Sequence, residues 1–542
     1  MGLSERVATN KYYNSNQLEW ILKIIGNKFI KSNKKIEYLN IPICFDIETS
    51  SYETAPSENR VGIMYGWTLS IYGYVILGRT WEDFLDVLKR IEIFYSLLPE
   101  SRRVMIFVHN LSYEFQFMRK RLKWYKIFAL EQREVVEAIT TGGIEFRCSY
   151  KLSGYSLANL SNQLVKYKTQ KMIGDLDYNL IRTPITPLTE KEIGYMVHDV
   201  NVVVAYIQEL IEREGNITLL PLTKTGFVRR LCRHSCLYDK TKKNSYKYFR
   251  YRGLMTDLQL TAETYTVLKK AYMGGYTHAN AFFVQEKLKN VGSFDLTSAY
   301  PAHMLTEYYP MSKFLKVNIE DSNQLEKFLI NRCCILKIKF YNIYAKFEYE
   351  NYISLSKCYN VKNPVLNNGR VFSAEELTTY ITELDYFTIR ETYQWEDAEI
   401  IDFYIADKGY LPTDLIKAML QLYKNKTELK DVEGKEVEYM QSKEYINSMY
   451  GMMVTDPLRD EILYDENNKW NKEKPEMEEG LQRYNISKNR FLYYAWGVWI
   501  TAYTRRTLWH AIQNLGDDYV YSDTDSVKFI NKSNHLDFFR VI

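Results

Sequence analysis

Three aspartates beside two apolar strands are the strongest chemical signal in this sequence. Asp523 and Asp525 stand two residues apart in YSDTDS, and Asp295 ends the apolar stretch of FDLTSAYP. Carboxylates two residues apart on a strand point to the same face, and they repel each other unless a cation or a proton intervenes. Oxygen ligands suit Mg²⁺, and two such ions about 3.5–4 Å apart can catalyse in-line phosphoryl transfer. The spacing therefore predicts a metal-dependent phosphoryl-transfer site.

Cationic and aromatic side chains accompany these carboxylates. In KEYINSMYG, Lys443, Asn447 and Tyr450 lie at i, i+4 and i+7, and therefore on one face of a predicted helix. Lys443 can contact a phosphate and Tyr450 can stack on a base pair, while Lys424 and Lys426 offer further phosphate contacts. Each of these alone is typical of a solvated helix face. Their order relative to the carboxylates favours a nucleotide site.

A second group of acidic residues stands in the first half of the chain. FDIETS carries Asp46 and Glu48, and YMVHD ends in Asp199, with Tyr195 one helical turn earlier. Carboxylates that hold two metal ions, with a tyrosine that orients water, can hydrolyse a phosphodiester. A D-x-E string alone is common by chance, so this hydrolytic site depends on the other strings that accompany it.

The elements that must position these residues fall into two blocks. After a helical, Lys-rich lead-in of forty residues, short strands alternate with amphipathic helices to about residue 212, which is typical of an α/β domain. Thr189 is a candidate helix N-cap there, with Glu192 three residues later. In the second block, which starts near residue 272, the pattern predicts a β-rich stretch near 336–347, a turn at 367–369, helices near 411–429 and 438–449, and a polar hairpin or loop at 456–490.

Composition bounds the class of protein. A chain of 542 residues is too long for one core, so two to four domains are expected. Aromatic residues reach 15%, which suits stacking on bases but equally fits the composition of an AT-rich genome. Residues 224–252 contain ten Lys or Arg and one acid, either a surface that contacts phosphates or a solvated face. Seven cysteines, an odd number, favour a reducing compartment, and no apolar run is long enough to cross a bilayer.

The motifs resemble those of family B DNA polymerases. FDLTSAYP is similar to motif A, KEYINSMYG to motif B and YSDTDS to motif C, and they occur in the family's order. YMGG at 272–275 and GVWITAYTRR at 497–506 resemble the protein-primed branch found in small tailed phages, adenoviruses and linear plasmids. FDIETS, HNLSYEF and YMVHD are similar to the three exonuclease motifs of the same enzymes. The resemblance covers nearly the whole chain beyond residue 40.

The resemblance implies roles in a polymerase site. Asp295 and Asp525 would be metal ligands, and Asp523 would be a catalytic acid beside them. Tyr300 would be the steric gate that packs against the sugar and excludes a 2′-hydroxyl. The path between the two active sites would be lined by Tyr272, Gly274 and Gly275.

The resemblance also implies a 3′→5′ exonuclease site with Asp46, Glu48, Glu114 and Asp199 as metal ligands and Tyr195 beside them. Glu114 stands where the family has Asp, and its extra methylene moves the carboxylate by roughly one ångström, so we expect a working but slower exonuclease. Six other residues match positions that hold a frayed primer end: Thr49, His109, Asn110, Tyr113, Ser156 and Leu157. Ser156 and Leu157 also fit a simple amphipathic helix. Lys171 is a candidate substitute for a lysine of the family.

The expected fold is a multidomain protein of α/β plus α+β class. An RNase H-like exonuclease domain precedes a right-hand polymerase domain with palm, fingers and two protein-priming insertions, and the family's thumb and K-x-Y motif are not found. The expected divisions are a lead-in at 1–40, the exonuclease at 41–222, a linker and first palm part at 223–315, a first insertion for the terminal protein at 316–405, fingers at 406–451, a second insertion at 452–492 and the second palm part at 493–542.

The expected cofactors are two Mg²⁺ or Mn²⁺ ions in each active site. The expected partners are template and primer DNA, dNTPs and a terminal priming protein, for a monomer in the cytoplasm of a host cell with no membrane contact. Two alternatives stay open because no thumb is found: a chain that only degrades DNA, and a scaffold that binds single-stranded DNA and the terminal protein without turnover. Intact motifs A, B and C favour a polymerase that proofreads and displaces strands during viral DNA replication.

Overall fold

The computed structural model describes residues 2–53, 60–170, 180–239, 245–465 and 467–541. In these residues the α-helices are α1 Leu3–Val7, α2 Leu18–Ile25, α3 Trp81–Tyr95, α4 Leu111–Met118, α5 Ser149–Ser153, α6 Leu157–Ser161, α7 Glu190–Glu214, α8 Lys224–Leu237, α9 Tyr246–Asp257, α10 Ala262–Ala271, α11 Ala299–Thr306, α12 Ser322–Asn331, α13 Glu383–Thr392, α14 Thr413–Leu429, α15 Glu436–Met453, α16 Met477–Ile486, α17 Tyr494–Leu515 and α18 Leu536–Val541.

The strands are β1 Tyr12–Tyr13, β2 Phe29–Lys31, β3 Glu37–Leu39, β4 Ile43–Glu53, β5 Arg60–Ile71, β6 Tyr74–Gly78, β7 Arg102–Val108, β8 Trp124–Ala129, β9 Val135–Thr140, β10 Ile144–Cys148, β11 Thr277–Ala279, β12 Gly292–Asp295, β13 Tyr309–Pro310, β14 Leu315–Val317, β15 Arg332–Ala345, β16 Cys358–Lys362, β17 Val365–Asn367, β18 Arg370–Thr382, β19 Tyr393–Gln394, β20 Asp397–Gly409, β21 Glu461–Tyr464, β22 Trp470–Glu473, β23 Tyr519–Asp523 and β24 Ser526–Phe529.

The chain divides into two compact units. The first contains Met1–Phe227 and Asp460–Lys474, and the second contains Val228–Arg459 and Pro475–Ile542. Each unit has its own buried apolar clusters. None of the described helices combines the length and the apolar composition that a membrane crossing requires.

The first unit is built on a mixed ten-stranded sheet with the order β1-β6-β5-β4-β7-β10-β9-β8, to which β2 and β3 add at β7. Strand β4 pairs antiparallel with β5 and parallel with β7, so it lies in the interior of the sheet. Helix α7 packs on β4 and β5. The prediction of a helical lead-in is wrong in part, because β1, β2 and β3 fall within the first forty residues. Strand β1 pairs with β6, β3 pairs with β7, and β2 pairs with β3.

The second unit contains a four-stranded antiparallel sheet with the order β11-β23-β24-β12. A larger sheet, β13-β20-β15-β18-β16 with three short strands at its sides, includes the predicted β-rich stretch in β15 and the predicted turn before β18. Helices α14 and α15 confirm the two helices predicted upstream of the polar insertion. That insertion forms the hairpin β21–β22 and helix α16.

Helix α17 lies in the core of the second unit. Its residues Trp496, Trp499 and Trp509 are fully buried, and it packs on α11, α13 and α15. The longest apolar run of the sequence thus serves the core of this unit, and it connects directly to the strand hairpin β23–β24 that carries two of the predicted acidic residues.

Candidate functional site

Strand β4 and helix α7 bring three predicted carboxylates together in the first unit. One ligand oxygen each of Asp46, Glu48 and Asp199 lies within 4.8 Å of the other two. Asp46 and Glu48 share a face because side chains alternate along β4, and a register shift follows Glu48. Thr189 caps α7 as predicted, with its hydroxyl accepting from the Glu192 amide, so the start of the helix is fixed.

Glu114 on α4 adds a fourth carboxylate to this group. Its side chain is only 4% exposed, and its Oε2 makes no hydrogen bond within the described residues. Burial, and then the neighbouring charge of Asp46 and of Glu48, raises the pKa of Glu114 well above its ordinary value. A divalent cation would compensate the charge of these carboxylates and bind the buried Glu114 oxygen. The residues therefore fit Mg²⁺ or Mn²⁺.

Cys44 also lines this site, and the sequence interpretation missed it. Burial raises the pKa of the Cys44 thiol well above its ordinary value, and the charges of Asp46, Glu114 and Asp199 add to the shift. Its position two residues before Asp46 on β4 is the signal that could have identified it, because residues i and i+2 of a strand share a face.

The residues expected to hold a primer end lie on several elements. The Thr49 hydroxyl and the Tyr113 phenol oxygen are 2.5 Å apart, so the structure brings these two together beside the carboxylates. His109 Nδ1 lies 3.1 Å from Ser149 Oγ, and Asn110 begins α4 with a left-handed backbone (φ 78°).

Two further residues of that group lie at the start of α6. Ser156 is the N-cap of this helix, where its hydroxyl accepts from the Asn159 amide, and Leu157 is the first helical residue. Helix α6 packs on α7, the helix that carries Asp199 and half-buried Tyr195. Lys171 lies outside the described residues.

A second candidate site forms where β12 meets the hairpin β23–β24. Asp295 pairs with Ser526 across the sheet, and the Leu296 amide donates to the Asp525 carbonyl at 2.8 Å. Burial, then the charge of Asp295, raises the pKa of Asp525, while Lys443 opposes the shift. Crowded carboxylates near a lysine fit a site for a cation and an anion together. Their spacing is wider than in the first unit, since no second set of three such ligands meets the 4.8 Å limit in the part of the chain that the structure describes.

The turn between Asp523 and Asp525 is held from several sides. Thr524 adopts a left-handed backbone (φ 58°), which is uncommon for a β-branched residue, and its amide donates to the Tyr276 carbonyl at 2.8 Å. The hydroxyls of Thr524 and Thr277 both donate to Asp523 Oδ1, at 3.1 and 2.9 Å. These contacts fix the direction of the Asp523 carboxylate.

The YMGG segment lies directly behind this turn. A Cβ atom at Gly275 would come within 2.6 Å of Thr524 Oγ1, whereas one at Gly274 would meet no atom within 4 Å. Gly275 therefore allows a close approach between the backbone and the turn. The sequence interpretation assigned both glycines to a DNA path and did not predict this contact.

Three tyrosines form the wall of the second site. The rings of Tyr300 and Tyr450 are stacked, with centroids 3.9 Å apart and planes 18° from parallel. Burial and the neighbouring Tyr272 phenol raise the pKa of Tyr450. Burial, and then the charge of Asp525, raises the pKa of Tyr300 to about 12. The predicted steric gate and the predicted base platform thus contact each other next to the carboxylates.

The predicted phosphate contacts divide into two groups. Lys426 Nζ lies 3.0 Å from Ser298 Oγ, and burial together with the charges of Lys443 and Lys430 lowers its pKa. Lys430 therefore joins this cationic group, although the sequence interpretation omitted it. Lys424 instead pairs with Glu428 at 3.5 Å on an exposed helix face, which is the solvated arrangement that its spacing also allowed.

Asn447 stands on α15 between the two nucleotide-site residues of the same motif, and its side chain is exposed. It lies one helical turn after Lys443 and one before Tyr450, as the spacing predicts for one face of a helix.

Arg505 on α17 is a buried charge that the sequence interpretation did not single out. Its guanidinium donates to Asp385 Oδ1 at 2.7 Å and to the carbonyls of Met273 and Gly274 at 2.5 and 3.1 Å. It thus joins α13 to the YMGG segment. The Arg505 partner Asp385 lies 120 positions away in sequence, so no local pattern could reveal the pair.

The basic run 224–252 folds as α8 and α9, apart from residues 240–244, which lie outside the described ranges. Lys247 and Arg250 both pair with the buried carboxylate of Asp414. In contrast, burial and the like charges of Arg459 and Arg233 lower the pKa of Arg229. Part of the run is therefore neutralised, and part forms a positive cluster that fits the predicted phosphate-contacting surface.

Comparisons with known proteins give a family match and several relatives. Residues 162–536 match a family model described as DNA polymerase type B, organellar and viral. The chain is 26% identical over 363 residues to the DNA polymerase of Bacillus phage Nf and 23% identical over 371 residues to that of Bacillus phage phi29. These matches cover 65% and 67% of this chain but only 55% and 56% of the relatives, so the matched region spans little more than half of their length.

Solved structures give a longer match. The phi29 DNA polymerase complexed with primer-template DNA and incoming nucleotides aligns with a TM-score of 0.65 at 16% identity, over 90% of this chain and 80% of that one. The post-translocation binary complex of the same polymerase with primer-template DNA aligns with a TM-score of 0.67 over the same shares. At this identity the likeness establishes the multidomain fold.

Proposed function

Because the chain belongs to the organellar and viral family of type B DNA polymerases, we propose that it is a DNA-directed DNA polymerase with a 3′→5′ exonuclease. The observation that carries the proposal is the convergence of Asp295 and Asp525 with Lys443 and the stacked rings of Tyr300 and Tyr450. The relatives' shared name, DNA polymerase, supports it.

In the polymerase reaction, Asp295 and Asp525 would hold two divalent cations, which when bound supply the charge that activates a primer hydroxyl and neutralises a triphosphate. The Asp523 carboxylate, fixed by Thr277 and Thr524, would be directed at the same space. The residues of the chain then position the substrate, since phosphoryl transfer depends mainly on position and charge.

The remaining residues of the second site bind and select the nucleotide. Lys443 and Lys426 provide positive charge for the triphosphate, with Asn447 and exposed Lys424 at the edge of the same helices. Tyr450 stacks on the incoming base pair once its ring separates from that of Tyr300. Tyr300 then packs against the sugar, where an added 2′-hydroxyl would clash.

In the exonuclease reaction, Asp46, Glu48, Glu114 and Asp199 would hold the cations, and Tyr195 would orient the attacking water. Thr49 and Tyr113 bind the 3′ end of the strand, and the neighbouring positions complete the contact: His109, Asn110, Ser156 and Leu157. Tyr272, Gly274 and Gly275 would contact the DNA beside the second site.

We further propose protein priming for this chain, as the likeness to phage relatives supports it. Residues 316–405 would then contact a terminal protein, and residues 452–492 would serve strand displacement. The other proposed divisions are the lead-in at 1–40, the exonuclease at 41–222, the linker and first palm part at 223–315, the fingers at 406–451 and the second palm part at 493–542. We propose a monomer that binds template and primer DNA and dNTPs in the cytoplasm of a host cell.

A second candidate, a chain that only degrades DNA, is favoured by one observation. Asp46, Glu48 and Asp199 lie within 4.8 Å of one another, whereas Asp295, Asp523 and Asp525 form no such group among the residues that the structure describes. Such a chain would hydrolyse phosphodiesters without adding nucleotides.

Primer extension separates the two candidates. A 5′-labelled DNA primer on a template is incubated with the full chain and Mg²⁺, with and without dNTPs. The DNA primer takes the place of a terminal protein, so the assay does not require protein priming. Extension with dNTPs and shortening without them support the polymerase with proofreading, and shortening in both conditions supports the exonuclease alone. Asp525→Asn should abolish extension only, and Glu114→Ala should slow shortening only, by about a hundredfold. Unchanged shortening by Glu114→Ala contradicts the assignment of Glu114.

A further inference from the structure

The hairpin β21–β22 belongs to the first unit, although it lies far along the sequence from the rest of that unit. Ile462 of the hairpin is buried in the same apolar cluster as the interior of the ten-stranded sheet, and the half-buried rings of Tyr464 and Trp470 pack against this cluster. These two rings contact each other with centroids 4.8 Å apart. The hairpin is therefore part of the core that supports the exonuclease carboxylates.

The two hairpin rings meet α4 at one residue. Phe115, which is fully buried, lies 5.6 Å from the Tyr464 ring and 6.0 Å from the Trp470 ring. The charge of Arg119, just beyond the end of the same helix, also acts on the Tyr464 phenol and opposes the rise in its pKa that burial causes. Aromatic pairs at these distances pack favourably in tilted or edge-on arrangements such as those seen here.

Helix α4 presents three successive side chains to three different neighbours. The Tyr113 hydroxyl contacts Thr49, Glu114 faces the other carboxylates, and Phe115 faces the hairpin. The helix has only eight residues, and its N-cap Asn110 makes no side-chain capping bond. Helices this short have little stability of their own, so tertiary packing determines where they lie. A shift on the Phe115 side must therefore move Glu114.

We infer that Tyr464 and Trp470 are positioning residues for the exonuclease site, because through Phe115 they hold α4 where Glu114 meets Asp46 and Glu48. The inference rests on the proposed exonuclease function, and it gives the hairpin a role in hydrolysis of a DNA 3′ end. Removing the Trp470 ring opens space beside Phe115, and α4 can then relax into it. The Glu114 carboxylate is displaced as a result.

The test uses the full chain and five variants. Trp470→Ala removes the ring, Trp470→Phe restores an aromatic ring, and Leu463→Ala is the matched control, because Leu463 lies on the same hairpin with its side chain 41% exposed. Glu114→Ala and the double variant Trp470→Ala/Glu114→Ala complete a mutant cycle. Single-turnover degradation of a 3′-labelled single strand with Mg²⁺ gives the rate and the apparent DNA affinity, and calorimetry without DNA measures Mn²⁺ binding.

We expect Trp470→Ala to lower the maximal rate by about tenfold or more, because catalytic groups misplaced by an ångström lose up to a hundredfold. DNA affinity should change by less than about twofold, and Mn²⁺ binding should weaken. Trp470→Phe should recover most of the rate, and Leu463→Ala should match the parent chain. In the Glu114→Ala background the second substitution should add less than about twofold, because its effect passes through Glu114.

Three results would overturn the inference. Equal rates for the parent chain and Trp470→Ala would show that the ring does not position α4. A full additional loss in the Glu114→Ala background would show a general structural effect. A parent chain that degrades no DNA would reject the proposed exonuclease itself. If Trp470→Ala fails to fold by circular dichroism, Trp470→Leu, which keeps most of the apolar volume without the ring, is judged by the same criteria.

Discussion

Replacing Gly275 by alanine sets a methyl group against the turn that joins Asp523 to Asp525. The new Cβ would lie 2.6 Å from Oγ1 and 2.8 Å from Cγ2 of Thr524. Ordinary contact begins at 3.4 Å, so the turn has to move by 3.4 minus 2.6, or 0.8 Å. Thr524 yields poorly by rotation alone, because its hydroxyl donates to Asp523 and its amide donates to the Tyr276 carbonyl.

A displacement of about 1 Å at catalytic groups can cost on the order of a hundredfold in rate, or about 2.7 kcal/mol. We therefore expect Gly275→Ala to lower the rate of single-nucleotide addition by about that factor, measured by rapid quench with saturating dNTP. Gly274→Ala is the comparison, since no atom lies within 4 Å of its Cβ position, and its loss should be at least about tenfold smaller.

A second substitution tests whether the contact with Thr524 causes the loss of rate. Thr524→Gly removes the atoms that the new methyl group would meet, and glycine accepts the φ of 58° at that position. The double variant Gly275→Ala/Thr524→Gly should therefore add nucleotides faster than Gly275→Ala alone. Equal losses for the two glycines, or no recovery in the double variant, would refute the steric explanation.

Three more outcomes follow from the described contacts. Tyr300→Val should raise incorporation of ribonucleotides relative to deoxyribonucleotides by about tenfold or more in competitive extension, because the gate ring is gone; an unchanged ratio would contradict its role. Burial raises the pKa of Glu383 from 4.5 to about 7. The stability that this carboxyl contributes is therefore fully present below pH 4.5 and is lost, by roughly 3 kcal/mol, as the pH rises through about 7. Glu383→Gln should flatten this pH dependence of the free energy of unfolding in urea between about pH 5 and 8. Arg505→Ala should destabilise the chain by about 3–5 kcal/mol in the same assay, because buried Asp385 loses its partner, and a loss below about 1 kcal/mol would contradict this.

Local sequence patterns were sufficient for the groups that one element positions. The alternation along β4 predicted that Asp46 and Glu48 share a face, and the capping box predicted the start of α7 at Thr189. Both depend on residues within four positions of each other, where backbone periodicity and capping chemistry decide the geometry. The same alternation would have identified Cys44.

Contacts between distant segments could not be predicted in this way. The packing of Gly275 on Thr524 and the ion pair of Arg505 with Asp385 join residues 249 and 120 positions apart. Each partner has an ordinary local context, and the pairing is determined by how the sheet and α17 assemble. The attachment of β21–β22 to the first unit was missed for the same reason, because a polar hairpin pattern does not reveal which surface will cover its apolar face.

The attachment of this hairpin has a consequence for the order in which the protein folds during synthesis. The core of the first unit includes Ile462, so residues up to 227 emerge from the ribosome well before the last part of that core, which ends at 474. At about 5–20 residues per second, the 247 intervening residues require roughly 12–50 s. During that interval Phe115 lacks the rings of Tyr464 and Trp470, and the nascent first unit exposes an apolar surface to chaperones and to other chains.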